Sequence, residues 1–203
     1  MTEAMWAFER QAAARGYARV CGCDEAGAGP LAGRVYAAAV ILPAGLELPW
    51  LNDSKKVTPR RRELLFDQIR DRALAWAVAW AEPEEIDALD ILNCRMLAMN
   101  RAVEALEPGA DYALIDGNRD HSSRYAITLA HETIVKGDGR SASIAAASIL
   151  AKVSRDRYME KMDQIYPQYE FARHKGYPTR RHYELLRRYG PCPIHRRSFL
   201  KKL

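Results

Sequence analysis

The sequence has no apolar run long enough to cross a membrane, and it does not begin with the charged and apolar regions of a secretory signal. It is also poor in cysteine, with four in 203 residues and none in a C-x-x-C pair. Cys21 and Cys23 would share one face of a strand, which indicates small core residues rather than a thiolate metal site. We therefore expect a cytoplasmic protein with reduced thiols and no membrane contact.

Acidic residues are scarce towards the C-terminal end. Residues 171–203 contain ten lysines and arginines but a single acid, Glu184, a balance of +9 in a chain whose net charge is +5. A basic segment beside a mildly acidic body indicates a polyanionic partner, of which nucleic acid fits best. Tyrosines interleaved with these cations can stack on sugars or bases, which favours this interpretation over a merely solvated charged helix.

The apolar periodicity predicts an α/β fold. Strands are expected at about 19–23, 34–42, 73–81, 112–116 and 134–139, and helices at about 3–15, 58–72, 83–107, 141–166 and 179–189, with a loop at 167–178. Because no second hydrophobic core is visible, we expect one domain over 1–203, in which about 167–203 forms a basic helical extension.

One stretch, residues 20–33, organises the chain: an apolar strand leads into the adjacent acids Asp24 and Glu25 and then into a turn of small residues. A dinucleotide-binding glycine loop is a weaker interpretation. Its glycine spacing would be one residue too long, Pro30 removes a backbone N–H, and a strand rather than a helix follows. Another alternative is a β-hairpin with a solvated acidic pair at its tip.

Acids recur at two more predicted strand ends, Asp116 and Asp138. Ligands and catalytic groups collect at strand ends in α/β sheets, so we expect these acids to converge with Asp24 and Glu25. Oxygen ligands alone favour Mg²⁺ or Mn²⁺ over zinc, and four carboxylates suit a two-metal site that hydrolyses phosphodiesters. Lys55 is expected to neutralise a flanking phosphate.

Seven stretches resemble the motifs of the ribonuclease HII family, in family order and over nearly the whole chain. They lie at residues 24–33, 53–56, 116–118, 136–138, 144–156, 174–179 and 195–199. The resemblance implies an RNase H-like mixed β-sheet flanked by helices. It further implies an endoribonuclease using Mg²⁺ or Mn²⁺ that hydrolyses the phosphodiester 5′ of ribonucleotides, leaving 3′-hydroxyl and 5′-phosphate ends. The implied substrates are RNA/DNA hybrids and duplex DNA with single embedded ribonucleotides, and we expect a monomer.

Carried over residue by residue, the resemblance makes the four acids, Asp24, Glu25, Asp116 and Asp138, the metal-binding catalytic residues. The implied substrate-binding residues are Gly27, Ala28, Gly29, Ser54, Lys55, Asn118 and Tyr177. The glycine turn would meet the ribose 2′-hydroxyl, the group that distinguishes RNA from DNA, and Tyr177 would meet the neighbouring sugar.

The chain departs from the family pattern at Ala28, where the family has arginine, so a phosphate contact is expected to be weaker. Arg34, which stands where the family more often has proline, is a candidate to replace that cation. Arg155 and Asp156, in the middle of a predicted helix, are interpreted as an ordinary surface pair. Two other functions remain open: a junction resolvase of the same fold, and a duplex-binding protein without catalysis.

Overall fold

The computed structural model describes residues 3–201 and shows helices on both faces of one sheet. The helices are α1 (Ala7–Ala14), α2 (Pro59–Arg72), α3 (Pro83–Leu89), α4 (Ile91–Glu104), α5 (Ala142–Ile165), α6 (Phe171–His174) and α7 (Arg180–Tyr189). The strands are β1 (Val20–Ala26), β2 (Val35–Ile41), β3 (Ala75–Ala81), β4 (Tyr112–Asp116) and β5 (His131–Ile134).

The sheet is mixed, with the strand order β3-β2-β1-β4-β5. β2 is antiparallel to both β1 and β3, whereas β4 is parallel to β1 and to β5. The parallel strands β1 and β4 therefore bring their carboxyl ends to the same edge of the sheet. This architecture confirms the predicted RNase H-like mixed sheet flanked by helices.

Small residues allow two helices to lie close to the sheet. α5 covers one face, and a Cβ atom added to Gly22 of β1 would lie 2.1 Å from the backbone nitrogen of Ile144. α4 covers the other face, where Met99 and Ala102 pack in one cluster with Cys21 and Cys23. The two cysteines are fully buried, which confirms their interpretation as small core residues.

The helix predicted over 83–107 is in fact two helices. Asp90 interrupts it with a left-handed φ of 72°, and its carboxylate accepts a hydrogen bond from the backbone N–H of Asn93, capping α4. The apolar periodicity did not reveal this break because α3 and α4 both bury apolar side chains on either side of it.

Three predicted strands differ from the observed ones by two residues or more at one end or both. β1 continues to Ala26 rather than ending at 23, β3 begins at Ala75 rather than 73, and β5 spans His131–Ile134 rather than 134–139. After β5, Lys136 adopts a left-handed φ of 58° and leads into a 3₁₀ turn, Gly137–Gly139. Asp138 was expected at the end of this strand. It lies instead in the turn before α5, four residues after Ile134, the last residue of β5.

The C-terminal segment is more ordered than the predicted loop at 167–178. It contains a 3₁₀ turn, Pro167–Tyr169, and the short helix α6, followed by α7 as predicted, capped by the Thr179 side chain. Phe171 and Leu186 pack here in one apolar cluster with Leu31, which follows the β1 turn. Over residues 3–201, no helix is both long and apolar enough to cross a membrane.

Candidate active site

Three aspartates converge at the carboxyl ends of β1 and β4. One carboxylate oxygen each from Asp24, Asp116 and Asp138 lies within 4.8 Å of the other two. The parallel register pairs Cys23 with Ile115, so the next residues, Asp24 and Asp116, stand side by side. The turn before α5 adds Asp138, whose backbone N–H donates to Asp116 Oδ1 at 3.2 Å. We call these residues the aspartate cluster.

Burial and mutual repulsion make the aspartate cluster electrostatically unfavourable by itself. Burial raises the pKa of Asp24 well above its usual range, and the Glu25 and Asp116 carboxylates raise it further. Burial, and then Asp116, also raise the pKa of Asp138. A cation among these oxygens would relieve both effects. The donor set is oxygen only and closely spaced, so it fits a hard divalent ion such as Mg²⁺ or Mn²⁺.

Glu25 does not belong to the aspartate cluster. Successive residues of a strand point to opposite faces, so Glu25 leaves β1 on the face covered by α4 while Asp24 leaves it on the face covered by α5. On the α4 side, Glu25 Oε1 lies 2.5 Å from the Arg95 guanidinium. Burial raises the pKa of Glu25, and the Arg95 charge opposes that rise.

The small-residue turn after β1 lies beside the aspartate cluster. Gly27 has a φ of 99°, and a Cβ atom there would lie 2.1 Å from Arg155 Nε, so only glycine fits. Ala28 is partly exposed, and Gly29 is exposed with no heavy atom within 4 Å of an added Cβ. The backbone at the tip of the turn is therefore open to a ligand.

Two fully buried arginines hold this turn, and the sequence did not reveal either role. Arg196 donates to the carbonyl oxygens of Gly27 and Ala28 at 2.7 and 3.0 Å, and also to those of Pro30 and Gly33. Burial lowers the pKa of Arg196 to about 9. The motif at residues 195–199 contains Arg196, but its sequence alone does not indicate that this side chain is buried against the turn.

The interpretation of Arg155 and Asp156 as a surface pair is wrong. Arg155 is fully buried, and its guanidinium donates to the carbonyl oxygens of Ala32 and Lys175 at 3.3 and 2.9 Å. Asp156 instead accepts a hydrogen bond from Lys152 at 2.7 Å. Arg155 thereby ties the β1 turn to the C-terminal extension.

The predicted substrate-binding residues lie in different surroundings. Lys55 is exposed; burial lowers its pKa, but the nearby carboxylates of Asp53 and Asp24 outweigh this and raise it overall. Ser54 is buried, and its hydroxyl accepts a hydrogen bond from Ser148 at 2.8 Å. Asn118 is exposed, two residues beyond Asp116.

Tyr177 lies next to the β1 turn. The Gly176 carbonyl accepts a hydrogen bond from the Leu31 N–H at 2.8 Å, which docks the loop carrying Tyr177 onto the turn. Tyr177 is 40% exposed, and the Arg155 guanidinium carbon lies 5.5 Å from the centroid of its ring. An aromatic surface and an open glycine turn are thus neighbours.

Arg34 does not point to the open turn. Its guanidinium lies 2.7 Å from Glu82 Oε1 and sits 4.7 Å from the ring centroids of both Trp80 and Tyr158. These contacts engage Arg34 with β3 and α5. The structure therefore gives no support to Arg34 as a substitute for the missing arginine at position 28.

The chain matches known proteins over nearly its whole length. The family model described as Ribonuclease HII matches residues 21–202. Ribonuclease HII of Desulfitobacterium hafniense (strain DSM 10664 / DCB-2) is 53% identical over 197 residues, which cover 97% of this chain and 74% of that protein. Ribonuclease HII of Geobacter sulfurreducens is 52% identical over 196 residues, covering 97% of this chain and 88% of the relative.

A solved structure agrees with these sequence matches. The ribonuclease H2 of Pyrococcus horikoshii OT3 superimposes with a TM-score of 0.73 at 28% identity, covering 89% of this chain and 93% of that one. The family resemblance stated from the motifs is thereby confirmed. The chain belongs to the ribonuclease HII family and is a type 2 ribonuclease H.

Proposed function

We propose that this protein hydrolyses the phosphodiester bond 5′ of a ribonucleotide within a duplex, using two divalent ions, Mg²⁺ or Mn²⁺. RNA/DNA hybrids and duplex DNA with single embedded ribonucleotides are the proposed substrates. The observation that carries the proposal is the aspartate cluster, which lies beside an open glycine turn held by two buried arginines. The proposed unit is a monomer in which the whole chain, 1–203, acts as one domain.

Each part of the site has a proposed role. Asp24, Asp116 and Asp138 hold the ions, together with Glu25, and such ions supply activation of water and neutralisation of charge on the phosphate. The backbone of the turn at residues 27–29 contacts the ribose 2′-hydroxyl. Gly29 suits this because nothing stands within 4 Å of its missing side chain.

The remaining residues contact the substrate on either side of the scissile bond. Lys55, exposed beside the acids, neutralises a phosphate, and Tyr177 packs its exposed ring against the neighbouring deoxyribose. Asn118 lies within two residues of Asp116 and is proposed to contact the substrate backbone. Buried Ser54 acts indirectly, because its hydrogen bond to Ser148 fixes the loop that carries Lys55.

The test is a duplex with one embedded ribonucleotide, incubated with Mg²⁺, Mn²⁺ or EDTA. We expect a single cut on the 5′ side of the ribonucleotide with either metal, none with EDTA, and none in the matching all-DNA duplex. Cleavage of an all-DNA four-way junction would instead identify a resolvase. Binding without cleavage under every condition would identify a duplex-binding protein.

An aspartate variant tests the assignment of the cluster. Asp138→Asn keeps the size of the side chain but removes a ligand charge, so cleavage should fall at least about 100-fold. Duplex binding, measured by fluorescence anisotropy, should change less than about two-fold, because the contacts proposed for Lys55, Tyr177 and the β1 turn remain. Asp67→Asn, which changes an exposed carboxylate on α2, is the control. Near-parental turnover by Asp138→Asn would contradict the metal site.

A further inference from the structure

The structure separates the fourth acid from the other three, and a cation of the chain itself holds it. Glu25 leaves β1 towards α4, where Arg95 contacts it through one nitrogen at 2.5 Å. We infer that Arg95 is a positioning residue: it engages Glu25, which β1 already directs towards α4, competes with the second of two metal ions for this carboxylate, and so weakens binding of that ion. This inference rests on the proposed metal-dependent function.

The Glu25–Arg95 pair is incompletely satisfied. Among residues 3–201, the second carboxylate oxygen, Glu25 Oε2, is buried without a hydrogen-bond partner, and so is Arg95 Nε. A guanidinium can engage both oxygens of a carboxylate, but here one contact joins the two groups. A buried pair with unpaired polar atoms is less favourable than a fully bonded one. Glu25 therefore gives up little when its free oxygen turns to another cation.

The charge of Arg95 acts mainly on the ion that needs Glu25. A first ion can take one carboxylate oxygen from each of Asp24, Asp116 and Asp138 and does not need Glu25. A second ion completed by Glu25 must share this carboxylate with a guanidinium in direct contact. Glu25 and Arg95 are mostly buried, with side chains 13% and 22% exposed, so solvent screens this repulsion poorly. We expect a first, tighter ion on the aspartate cluster and a second, weaker ion.

α4 offers a matched control. Arg101 lies on the same helix and pairs with Glu85 at 2.8 Å, but it also donates to the Trp80 carbonyl on β3, away from the aspartate cluster. Removing its charge changes the same helix by the same kind of substitution. A metal-binding effect confined to Arg95 would therefore come from its contact with Glu25.

The experiment measures Mn²⁺ binding to the whole protein without substrate, by calorimetry and by the electron paramagnetic resonance signal of free Mn²⁺. Arg95→Leu should lower the second dissociation constant about ten-fold, the factor that corresponds to 1.4 kcal/mol, and change the first by less than two-fold. Arg95→Lys, which keeps the charge, should stay close to the parent. Arg101→Leu should change neither constant.

Each other result overturns the inference. An unchanged or larger second constant in Arg95→Leu would show that Arg95 supports metal binding or is only structural, and equal effects of Arg101→Leu would show a general effect of the helix. If Arg95→Leu fails to fold, Arg95→Gln, which also removes the charge, replaces it, and the same decrease in the second dissociation constant is expected. Absence of Mn²⁺ binding by the parent would contradict the proposed function itself. Binding of two ions with dissociation constants that do not change in Arg95→Leu would contradict this inference alone.

Discussion

Ala28 places a methyl group at the tip of the β1 turn, where the family pattern has arginine. Its carbonyl oxygen accepts a hydrogen bond from Arg196 at 3.0 Å, so the backbone is held although the side chain makes no polar contact. In the proposed function this backbone selects ribose, so we expect that selection to survive. What Ala28 lacks is a charged contact to phosphate, and Arg34, engaged by Glu82, does not supply one.

Ala28→Arg should therefore raise kcat/KM on a single-ribonucleotide duplex about ten-fold, without moving the cut. A charge-assisted hydrogen bond contributes about 1.5–3 kcal/mol, less where solvent screens it, and 1.4 kcal/mol corresponds to one decade of rate. Steady-state kinetics of the parent, Ala28→Arg, Arg34→Gln and the double variant provide the measurement. An Ala28→Arg change that is neutral even with Arg34→Gln would contradict a phosphate contact at position 28.

The residues of the aspartate cluster were predictable, whereas the position of Glu25 was not recognised. An aspartate at the end of an apolar strand is visible in the sequence, and the parallel strands β1 and β4 align Asp24 with Asp116. Asp138 was also expected at a strand end, but the 3₁₀ turn after β5 carries it instead. The two-residue period of a strand already implies that Asp24 and Glu25 point to opposite faces. Which cation would meet Glu25 depended on how α4 crosses the sheet, and no local pattern marks Arg95.

At the scale of elements, the β1 turn depends on Arg196 as well as on its own glycines. Arg196→Met keeps most of the side-chain volume but leaves the carbonyls of four turn residues without a donor. Each buried unsatisfied group costs about 1–3 kcal/mol, so the free energy of unfolding should fall by at least about 3 kcal/mol. Urea denaturation at pH 7 measures this.

The neighbouring Arg197 is the control for that change, because its side chain is exposed. Arg197→Met should alter the unfolding free energy by no more than about 0.5 kcal/mol. Equal losses in the two variants would show that the turn does not depend on the buried guanidinium.

A chain of hydrogen bonds between histidines fixes α7 against the C-terminal end. His182 Nδ1 lies 3.0 Å from the Tyr177 carbonyl and must donate to it, so His182 Nε2 accepts from His195 Nε2 at 3.0 Å. His195 Nδ1 in turn accepts from the Cys192 N–H at 3.0 Å. Both rings are neutral in this arrangement, and a proton added to either would place two donors face to face.

This pair should make the fold sensitive to acid. Burial lowers the pKa of both His182 and His195 to about 4, from 6.5 in the unfolded chain. Between those values the unfolded chain binds protons that the folded chain does not, so stability is full above pH 6.5 and falls as the pH decreases towards 4. One pKa unit corresponds to about 1.4 kcal/mol, so the loss should reach several kcal/mol.

Urea denaturation from pH 4 to 8 measures the effect, and His182→Phe is the test variant. It removes one titrating ring, so the slope of stability against pH between 6.5 and 4 should decrease by up to about 1.4 kcal/mol per pH unit. Comparing parent and variant cancels the contributions of other groups, such as Asp24. An identical slope in both proteins would exclude the histidine pair as the origin of acid sensitivity.

Across the whole molecule, the sequence gives the number of charged side chains but does not show which of them are buried and which are exposed. Arg196 belongs to the basic segment of residues 171–203 yet is fully buried, and Lys175 pairs with Glu160 at 2.7 Å. A sequence shows how many arginines a segment has, but not which of them are taken up by backbone carbonyls that only the fold brings near. The segment therefore offers fewer cations to a substrate than its balance of +9 suggests.

Two exposed arginines near the end of α7, Arg187 and Arg188, test whether the basic surface contacts nucleic acid. Each phosphate contact contributes about 0.9 to the slope of log affinity against log salt, so Arg187→Gln with Arg188→Gln should reduce that slope by up to about 1.8. Deleting the segment would be a poorer test, because Arg196 within it holds the β1 turn.

The control is Arg10→Gln with Arg72→Gln, which removes two charges near the edge of the sheet where β1 begins, opposite the acids. Anisotropy titrations between 50 and about 200 mM salt should show a lower slope for the α7 variant alone; equal slopes in the two double variants would mean that α7 faces away from the duplex.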